Sequence, residues 1–517
     1  MTAPLGVTPR RGRDRRARIL PAPPGRNRVI GPAPDVGVVG GGIAGLAAAT
    51  GLAERGVRVT LYEREPGLGG RLAGWSVRLA DGSTATMSRG FHAFFRQYYN
   101  LRGLLRRADP GLGFLTGLPD YPLRHRGGSY DSFARLPRTP PWNALGFVAR
   151  SPSFGGRDLL AMNATAALPL LDVRVPEVYE RLDRESAADL LARIRFPEAA
   201  RHLAFEVFSR SFFADPGELS AAELVLMFHI YFLGSSEGLL FDVPSEPYPR
   251  ALWEPLGRYL EGHGATLRLG TAVDTVEPAA GGGVILEAEG RAHRHDALVL
   301  AAETDGLRRL VEASPRLGDG AWRAGIARLR SAPPFLVSRL WLDRPVAAGR
   351  PGFLGTSGYG SLDNVSVLER WEGESARWAR ATGGSVVELH AYALAPHADR
   401  RSEQDRLVAQ LRRVYPETRD ARTVDARHEW RADCPLFPVG GFAGRPSVRT
   451  PDPTVVMAGD LVRTDLPVAL MERAATTGFL ASNALLERWG VRGQTLWTVP
   501  DRGRSAVLRA LARLGDR

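Results

Sequence analysis

The stretch DVGVVGGGIAGLAAATGLAERGVRVTLYEREPGLGGR, residues 35–71, decides the fold. It opens with a short β-rich run, residues 35–40, and continues into Gly40-Gly41-Gly42-Ile43-Ala44-Gly45, which satisfies G-x-G-x-x-G. An Ala/Leu-rich helix is expected to about Arg55 and Gly56 to stop it, before a second β-rich run at 57–62 ends on Glu63. Each residue type has a mechanical reason. Gly40 permits the tight turn, Gly42 lets the backbone approach a pyrophosphate, and Gly45 lets helix and strand pack closely. The helix N-terminus, at Ile43 and Ala44, offers free N–H groups and partial positive charge to phosphates. Glu63 stands where a carboxylate accepts hydrogen bonds from a ribose diol. The order strand, glycine turn, helix, strand, acid predicts dinucleotide binding.

Working outward, the residues after Glu63 favour FAD over NAD. Arg64 follows directly, then Gly69-Gly70-Arg71. Small residues there let the chain run beside a long cofactor, and Arg71 can pair with a phosphate. Near the other end, the β-rich run 454–458 leads to Gly459-Asp460, then Leu466-Pro467 and a helix over about 468–487. Pro467 suits a helix start. The Asp460 carboxylate can hold a ribityl hydroxyl or the pyrophosphate, and the helix end can stabilise negative charge on a reduced flavin. Residues 264–274 form a strand and turn resembling the place where flavoproteins offer a backbone amide to adenine, here near Val273. Residues 296–302 read as an apolar strand of the same parallel sheet.

The rest of the 517-residue chain fits around these pieces. The FAD-binding domain is expected as segments 35–75, 245–305 and 435–495, and the substrate region as 76–244 and 306–434. Aromatic density at Phe91 to Tyr99, 205–213 and 227–232 predicts an apolar tunnel, with Phe91, Phe94, Phe95, Phe212 and Phe228 as its expected lining. Taken singly, each such ring is more often core than ligand site. No His/Cys/Asp/Glu spacing suggests a metal, and no G-x-S-x-G nucleophile motif occurs. The single cysteine, Cys434, excludes an internal disulfide framework and suits a reducing cytoplasm. No run approaches the 18 or so apolar residues of a membrane span.

The formal charge of +12 is carried at the ends. Residues 10–28 hold a net +7 and residues 501–517 a net +3, which leaves +2 for everything else. All 68 basic residues are arginine. The Pro-rich residues 1–34 read as a disordered basic arm, and residues 496–517 as a basic tail or helix with Val507, Leu508, Leu511 and Leu514 at 3–4 spacing. Such ends can be solvated tails or can meet anionic lipid. No reader motif accompanies them, so no nucleic-acid partner is expected.

Gly40 to Gly45, Gly69-Gly70-Arg71 and Gly459-Asp460 together resemble the FAD-dependent amine oxidase/carotenoid desaturase superfamily. Gly90-Phe91-His92-Ala93-Phe94-Phe95 resembles the Gly-x-His-x-Phe-Phe segment of plant- and cyanobacterial-type phytoene and ζ-carotene desaturases. MSRGFHAFFRQYYNLRGLLRR (87–107), FARLPRTPPWNALGFVARSP (133–152), FEVFSRSFFADP (205–216), MFHIYFLGSSEGLLFDVP (227–244) and LPVALMERAATTGF (466–479) resemble the bacterial carotenoid φ-ring synthases, the isorenieratene synthase type. The resemblance covers about residues 35–500.

It implies an α/β fold: a Rossmann-like FAD-binding domain of the GR2 type with an inserted α+β substrate domain. It implies conversion of β-carotene's β-rings to aromatic φ-rings. One methyl moves from C1 to C2 and four hydrogens leave each ring, so two flavin reductions per ring feed an electron acceptor that the sequence does not name. A ring cation sheltered in a dry aromatic pocket suits this chemistry. His92, which the motif places near the flavin, is the first candidate base; Glu472 and Glu206 follow, with Glu237 and Asp242 in similar segments. A membrane-soluble substrate implies a cytoplasmic enzyme held peripherally on the inner face of the cell membrane. The alternatives are another carotenoid desaturase or isomerase, an amine oxidase and, suggested only by the arm, a basic nucleic-acid binder.

Overall fold

A computed structural model describes residues 14–200 and 212–515. Its centre is a five-stranded parallel sheet in the order Thr266–Leu269, Arg58–Glu63, Asp35–Val39, Ala297–Leu300, Val455–Met457. These are the runs that the sequence marks as β-rich, now paired in register, with Val38 opposite Leu61 and Val299 opposite both Val38 and Val456. Both faces of the sheet are covered, which is why the strands read as nearly continuous apolar runs. Alternation sorts their side chains. Val36, Val38 and Val299 join one core with helix Ile43–Ala53 and helix Leu470–Arg488. Val39, Leu298 and Leu300 join another with the antiparallel sheet Val273–Pro278, Val284–Ala288 and Arg291–His295. The two helices cross at backbone contact: a β-carbon at Gly478 would overlap the carbonyl oxygen of Ala44.

Beside this unit stands a seven-stranded sheet, ordered Thr423–Arg431, Phe335–Leu342, Ser385–Ala391, Asn364–Val367, Phe353–Ser357, Pro122–His125, Tyr130–Ser132. Strands from both sides of the nucleotide-binding pieces therefore meet in one sheet. Helices between Trp142 and Leu233 pack over it around buried Tyr179, Leu226 and Tyr231.

The expected disordered arm is corrected from Asp14 onward. Arg18–Leu20 pairs antiparallel with Leu496–Thr498. The Arg26 N–H donates to Gly490 O at 3.0 Å. Asp14 is fully buried; its N–H donates to Glu237 Oε1 (2.9 Å) and its carboxylate meets Arg504 (2.8 Å). Prolines 21, 23 and 24 forbid a helix but not an extended edge strand, and a three-residue strand needs no apolar periodicity. The first 13 residues of the arm lie outside the described residues. Among the described residues no helix is long and apolar enough to cross a membrane.

Candidate active site

The parallel strands end at a cleft built by the glycine turn. The Gly40 N–H donates to Tyr62 O at 2.8 Å, and helix Ile43–Ala53 starts directly after Gly42. Its first N–H groups have no partner within the helix and point out of its end. Glu63 is buried; its Oε2 accepts from Gly41 N at 2.6 Å and its Oε1 from Glu65 N at 2.9 Å. The Gly69 N–H donates to Gly41 O at 2.9 Å, which lays Gly70 against Gly42, backbone on backbone. Thr271 N donates to Glu63 O (2.8 Å) and so brings Val273 to the same rim. From the far segment, the Gly459 N–H donates to Thr477 Oγ1 at 3.0 Å. Asp460 then reaches across to Arg71, with Nη2 to Oδ1 at 2.6 Å.

Gly40, Gly42, Ile43, Ala44, Glu63, Arg64, Gly69, Gly70, Arg71, Val273, Gly459 and Asp460 all line one cavity of about 610 Å³. That size belongs to ligand pockets rather than packing defects. Gly45 stands behind the wall, where a β-carbon would overlap Gly40 O, in keeping with its packing role. The donor set fits FAD. A side-chain-free cradle at Gly42 and Gly70 and the helix N-terminus suit the pyrophosphate, with Arg71 and Arg64 as nearby cations and Glu63 as acceptor.

The same cavity continues between aromatic walls. Phe91 stacks on Phe353 with centroids 4.4 Å apart, and Phe241 lies 5.4 Å from both Phe91 and Phe95. Tyr231 lies 4.6 Å from Phe95, and Tyr121 5.3 Å from Phe241. Phe91 and Phe95 thus line the cavity, whereas three expected rings do not. In strand Phe94–Phe95, alternation sends Phe94 into the core at 0% exposure. Phe212 turns to Phe437 (5.4 Å), and its neighbour Phe213 takes the cavity position beside Tyr392 (4.8 Å). Phe228 packs on Phe232 (5.3 Å), leaving Met227 and Tyr231 to face inward. Composition locates the aromatic segments, but facing is decided residue by residue.

The candidate bases separate. His92 lines the cavity, and its Nδ1–H donates to Gly90 O at 3.0 Å. Burial pushes its imidazole down to about 4, so the ring is neutral. Glu472 is not at the cavity. Its two oxygens accept from Asn100 N (2.8 Å) and Leu101 N (2.9 Å), capping helix Tyr99–Leu105. The correction has a simple cause: the residue lies on the face of helix Leu470–Arg488 turned to that neighbouring helix. Glu237 holds Asp14, and Asp242 pairs with Arg102 (2.7 Å) and Arg96 (3.7 Å). Glu206 lies outside the described residues.

A polar row that no recognised sequence motif marks also faces this region. Glu388, His390 and Tyr392 alternate along and just past strand Ser385–Ala391, so period two puts them on one face. His390 and Tyr392 line the cavity with Asp363, Asn364, Asp433 and buried Cys434, whose thiol burial pushes up to about 12. The signal was present: E-x-H-x-Y at 388–392 puts three polar side chains on one side of an otherwise apolar strand.

A Rossmann-type cleft opening into an aromatic chamber defines a flavoprotein oxidoreductase. The family model for flavin containing amine oxidoreductase matches residues 43–486, and the chain belongs to that family. It is 75% identical over 507 residues to the carotenoid phi-ring synthase of Streptomyces griseus, covering 98% of each chain. It is 28% identical to the carotenoid phi-ring synthase of Chlorobaculum tepidum, covering 90% of each. A probable zeta-carotene desaturase of Synechococcus elongatus is 24% identical over 87% of this chain and 98% of its own. Among solved structures, putrescine oxidase superposes with a TM-score of 0.66 at 17% identity, over 88% of this chain and 99% of that one. The likeness in that case is one of fold.

Proposed function

We propose that the protein converts β-rings of β-carotene to aromatic φ-rings with FAD as cofactor. The observation that carries this is the continuity of the cavity: the cleft that fits the dinucleotide opens without a partition into the aromatic chamber. The 75% identity to a phi-ring synthase supports the same substrate class. FAD, when bound, would supply the two-electron acceptor for each desaturation.

The chain's own contribution is positioning and exclusion of water. Phe91, Phe95, Phe241 and Phe353 give a ring-sized apolar space in which an electron-poor cyclic intermediate meets aromatic faces instead of solvent. No methyl donor is required, because the methyl group moves within the ring. His92 supports this environment as a neutral imidazole on the wall.

The proposal includes a peripheral membrane position, since the substrate dissolves in lipid. Helix Ala506–Gly515 supports it, with Val507, Leu511 and Leu514 exposed along one stripe while Ala512 is buried and Leu508 packs on the body. Exposed Trp142 and Leu145 stand on a second helix, Trp142–Arg150. Asn143 Nδ2 donates to Phe232 O and Arg504 N to Leu233 O, so the two helices leave the body at adjacent points.

Expression in a β-carotene-producing host tests the function. The expected pigment has eight fewer hydrogens than β-carotene when both rings react, with carbon number unchanged. Products of unchanged mass, or a purified protein without flavin, would overturn it.

A further inference from the structure

Forming a φ-ring removes protons as well as electrons, so the cavity needs a proton acceptor. This inference rests on the function proposed above. Two side chains on its wall, Tyr392 and His390, and the buried Glu388 behind them form a path for that proton. Tyr392 O–H donates to His390 Nδ1 at 2.7 Å, and His390 Nε2–H donates to Glu388 Oε1 at 2.9 Å. The tautomer follows from chemistry: a carboxylate only accepts, so Nε2 carries the hydrogen and Nδ1 the lone pair. The Phe91 N–H, 3.3 Å from the same Nε2, is the weaker claim on that nitrogen. Asn364 Nδ2 donates to Tyr392 Oη at 3.1 Å, which leaves one phenol lone pair for a proton from the cavity.

We infer that Tyr392 is the proton acceptor of ring aromatisation, relaying through His390, which Glu388 positions. In the step, a ring C–H bond next to the cationic carbon breaks and its electron pair becomes the ring double bond. The proton goes to Tyr392 Oη, and the phenol's own hydrogen passes to His390 Nδ1. The imidazolium keeps its Nε2–H on Glu388. No electrons are transferred in this step; the preceding two-electron oxidation belongs to FAD. A C–H next to a carbocation is a strong acid, so a neutral phenol backed by an imidazole suffices as base.

Magnitudes favour this path over His92. A desolvated imidazolium is costly unless a carboxylate meets it. Among the described residues no carboxylate touches His92, and burial holds it down to about 4. His390 has Glu388, which is itself fixed by Arg339 through Nε (2.9 Å) and Nη2 (2.6 Å). Arg339 keeps that carboxylate ionised, down to about 2. Arg339 is in turn held by Thr86 O (2.6 Å) and Ser88 Oγ (3.0 Å). The path is rigid as well as charged.

The test uses purified holoenzyme, β-carotene in liposomes, and the variants Tyr392→Phe, His390→Gln and His92→Gln. Tyr392→Phe keeps the ring and is expected to retain flavin content and melting temperature. Aromatised product should fall about 100-fold or more. The solvent deuterium isotope effect of the wild type should vanish from its residual turnover. His390→Gln, which keeps hydrogen bonding but takes up no proton, should fall similarly. In the wild type, ¹⁵N-histidine labelling should show a low-field proton for the Nε2–Glu388 bond, absent in His390→Gln. A Tyr392→Phe enzyme within about threefold of wild type overturns the relay, as does one that loses its flavin. A large loss in His92→Gln alone reassigns the base and likewise overturns it. Wild type that makes no aromatised product overturns instead the function on which the relay rests.

Discussion

The guanidinium of Arg71 is paired with the carboxylate of Asp460 at 2.6 Å, joining the two segments expected to hold the cofactor, which lie near opposite ends of the chain. In the sequence the two look like separate contacts to the cofactor. The pair makes them one preformed, half-buried unit on the cavity that the Gly42–Gly70 cradle also lines, and Asp460 raises the affinity of Arg71 for its proton. Removing one partner leaves the other charge poorly solvated. Arg71→Ala is therefore expected to weaken FAD binding about 10- to 100-fold, the scale of a charged hydrogen bond. Arg71→Lys should recover only part of this, because an ammonium lacks the planar fork. Titration of deflavinated protein with FAD, followed by fluorescence quenching, measures both.

A second prediction concerns Gly90. Its φ is +94°, and a β-carbon there would overlap the His390 imidazole. Its carbonyl accepts from Tyr248 Oη (2.9 Å) and from His92 Nδ1 (3.0 Å). The first residue of the Gly-x-His segment is thus a seat for a histidine three hundred residues away. Gly90→Ala adds backbone strain of about 1–3 kcal/mol to the clash. It should lower the melting temperature by several degrees and reduce product formation more than flavin content. Equal product per flavin in the variant would show that the seat does not matter.

Glu472 makes a different prediction from the one its sequence position suggests. Burial raises its carboxyl to about 8 against an ordinary value near 4.5, despite two backbone donors. The folded state then holds more protons than the unfolded chain between about pH 4.5 and pH 8. Its contribution to stability accordingly falls as pH rises through that window. Glu472→Gln should flatten this slope, while costing about 1–3 kcal/mol because one backbone N–H then faces an amide NH₂. Product per bound flavin should be unchanged. Thermal melting across pH 5–8, with activity normalised to flavin, tests both statements.

The parallel sheet was legible because its signals are local: glycines at fixed spacing, apolar runs, an acid at a strand end. All five strands came from such runs, and twelve of the thirteen residues expected to hold the cofactor line one cavity. The aromatic chamber was only half legible. Phe95 and Phe94 differ by one residue and point to opposite sides, and composition carries no phase. The polar row at Glu388, His390 and Tyr392 was hidden for another reason. Two of its partners, Asn364 and Arg339, are brought in by sheet pairing across long sequence gaps, and a third, Gly90, comes from the loop after strand Thr84–Ser88. Arg18–Leu20 is the same lesson at the edge of the fold, since the partner strand Leu496–Thr498 gives that segment its order.

The last prediction concerns the C-terminal helix. Val507, Leu511 and Leu514 are 67%, 39% and 60% exposed, while Ala512 on the opposite side is buried. An amphipathic helix packed only on its own protein would hide that stripe; here a second apolar line remains outside, among arginines. The arrangement suits the boundary between acyl chains and anionic headgroups. Replacing Val507, Leu511 and Leu514 together by serine should cut sedimentation with liposomes containing anionic lipid about tenfold or more, given about 25 cal/mol per Å² of apolar surface. Binding by the wild type should also weaken as salt rises, because the arginine contribution is screened. Turnover of β-carotene dissolved in liposomes should fall in the triple variant, and turnover of detergent-solubilised β-carotene should not. Equal losses in both would place the defect in the fold rather than at the membrane.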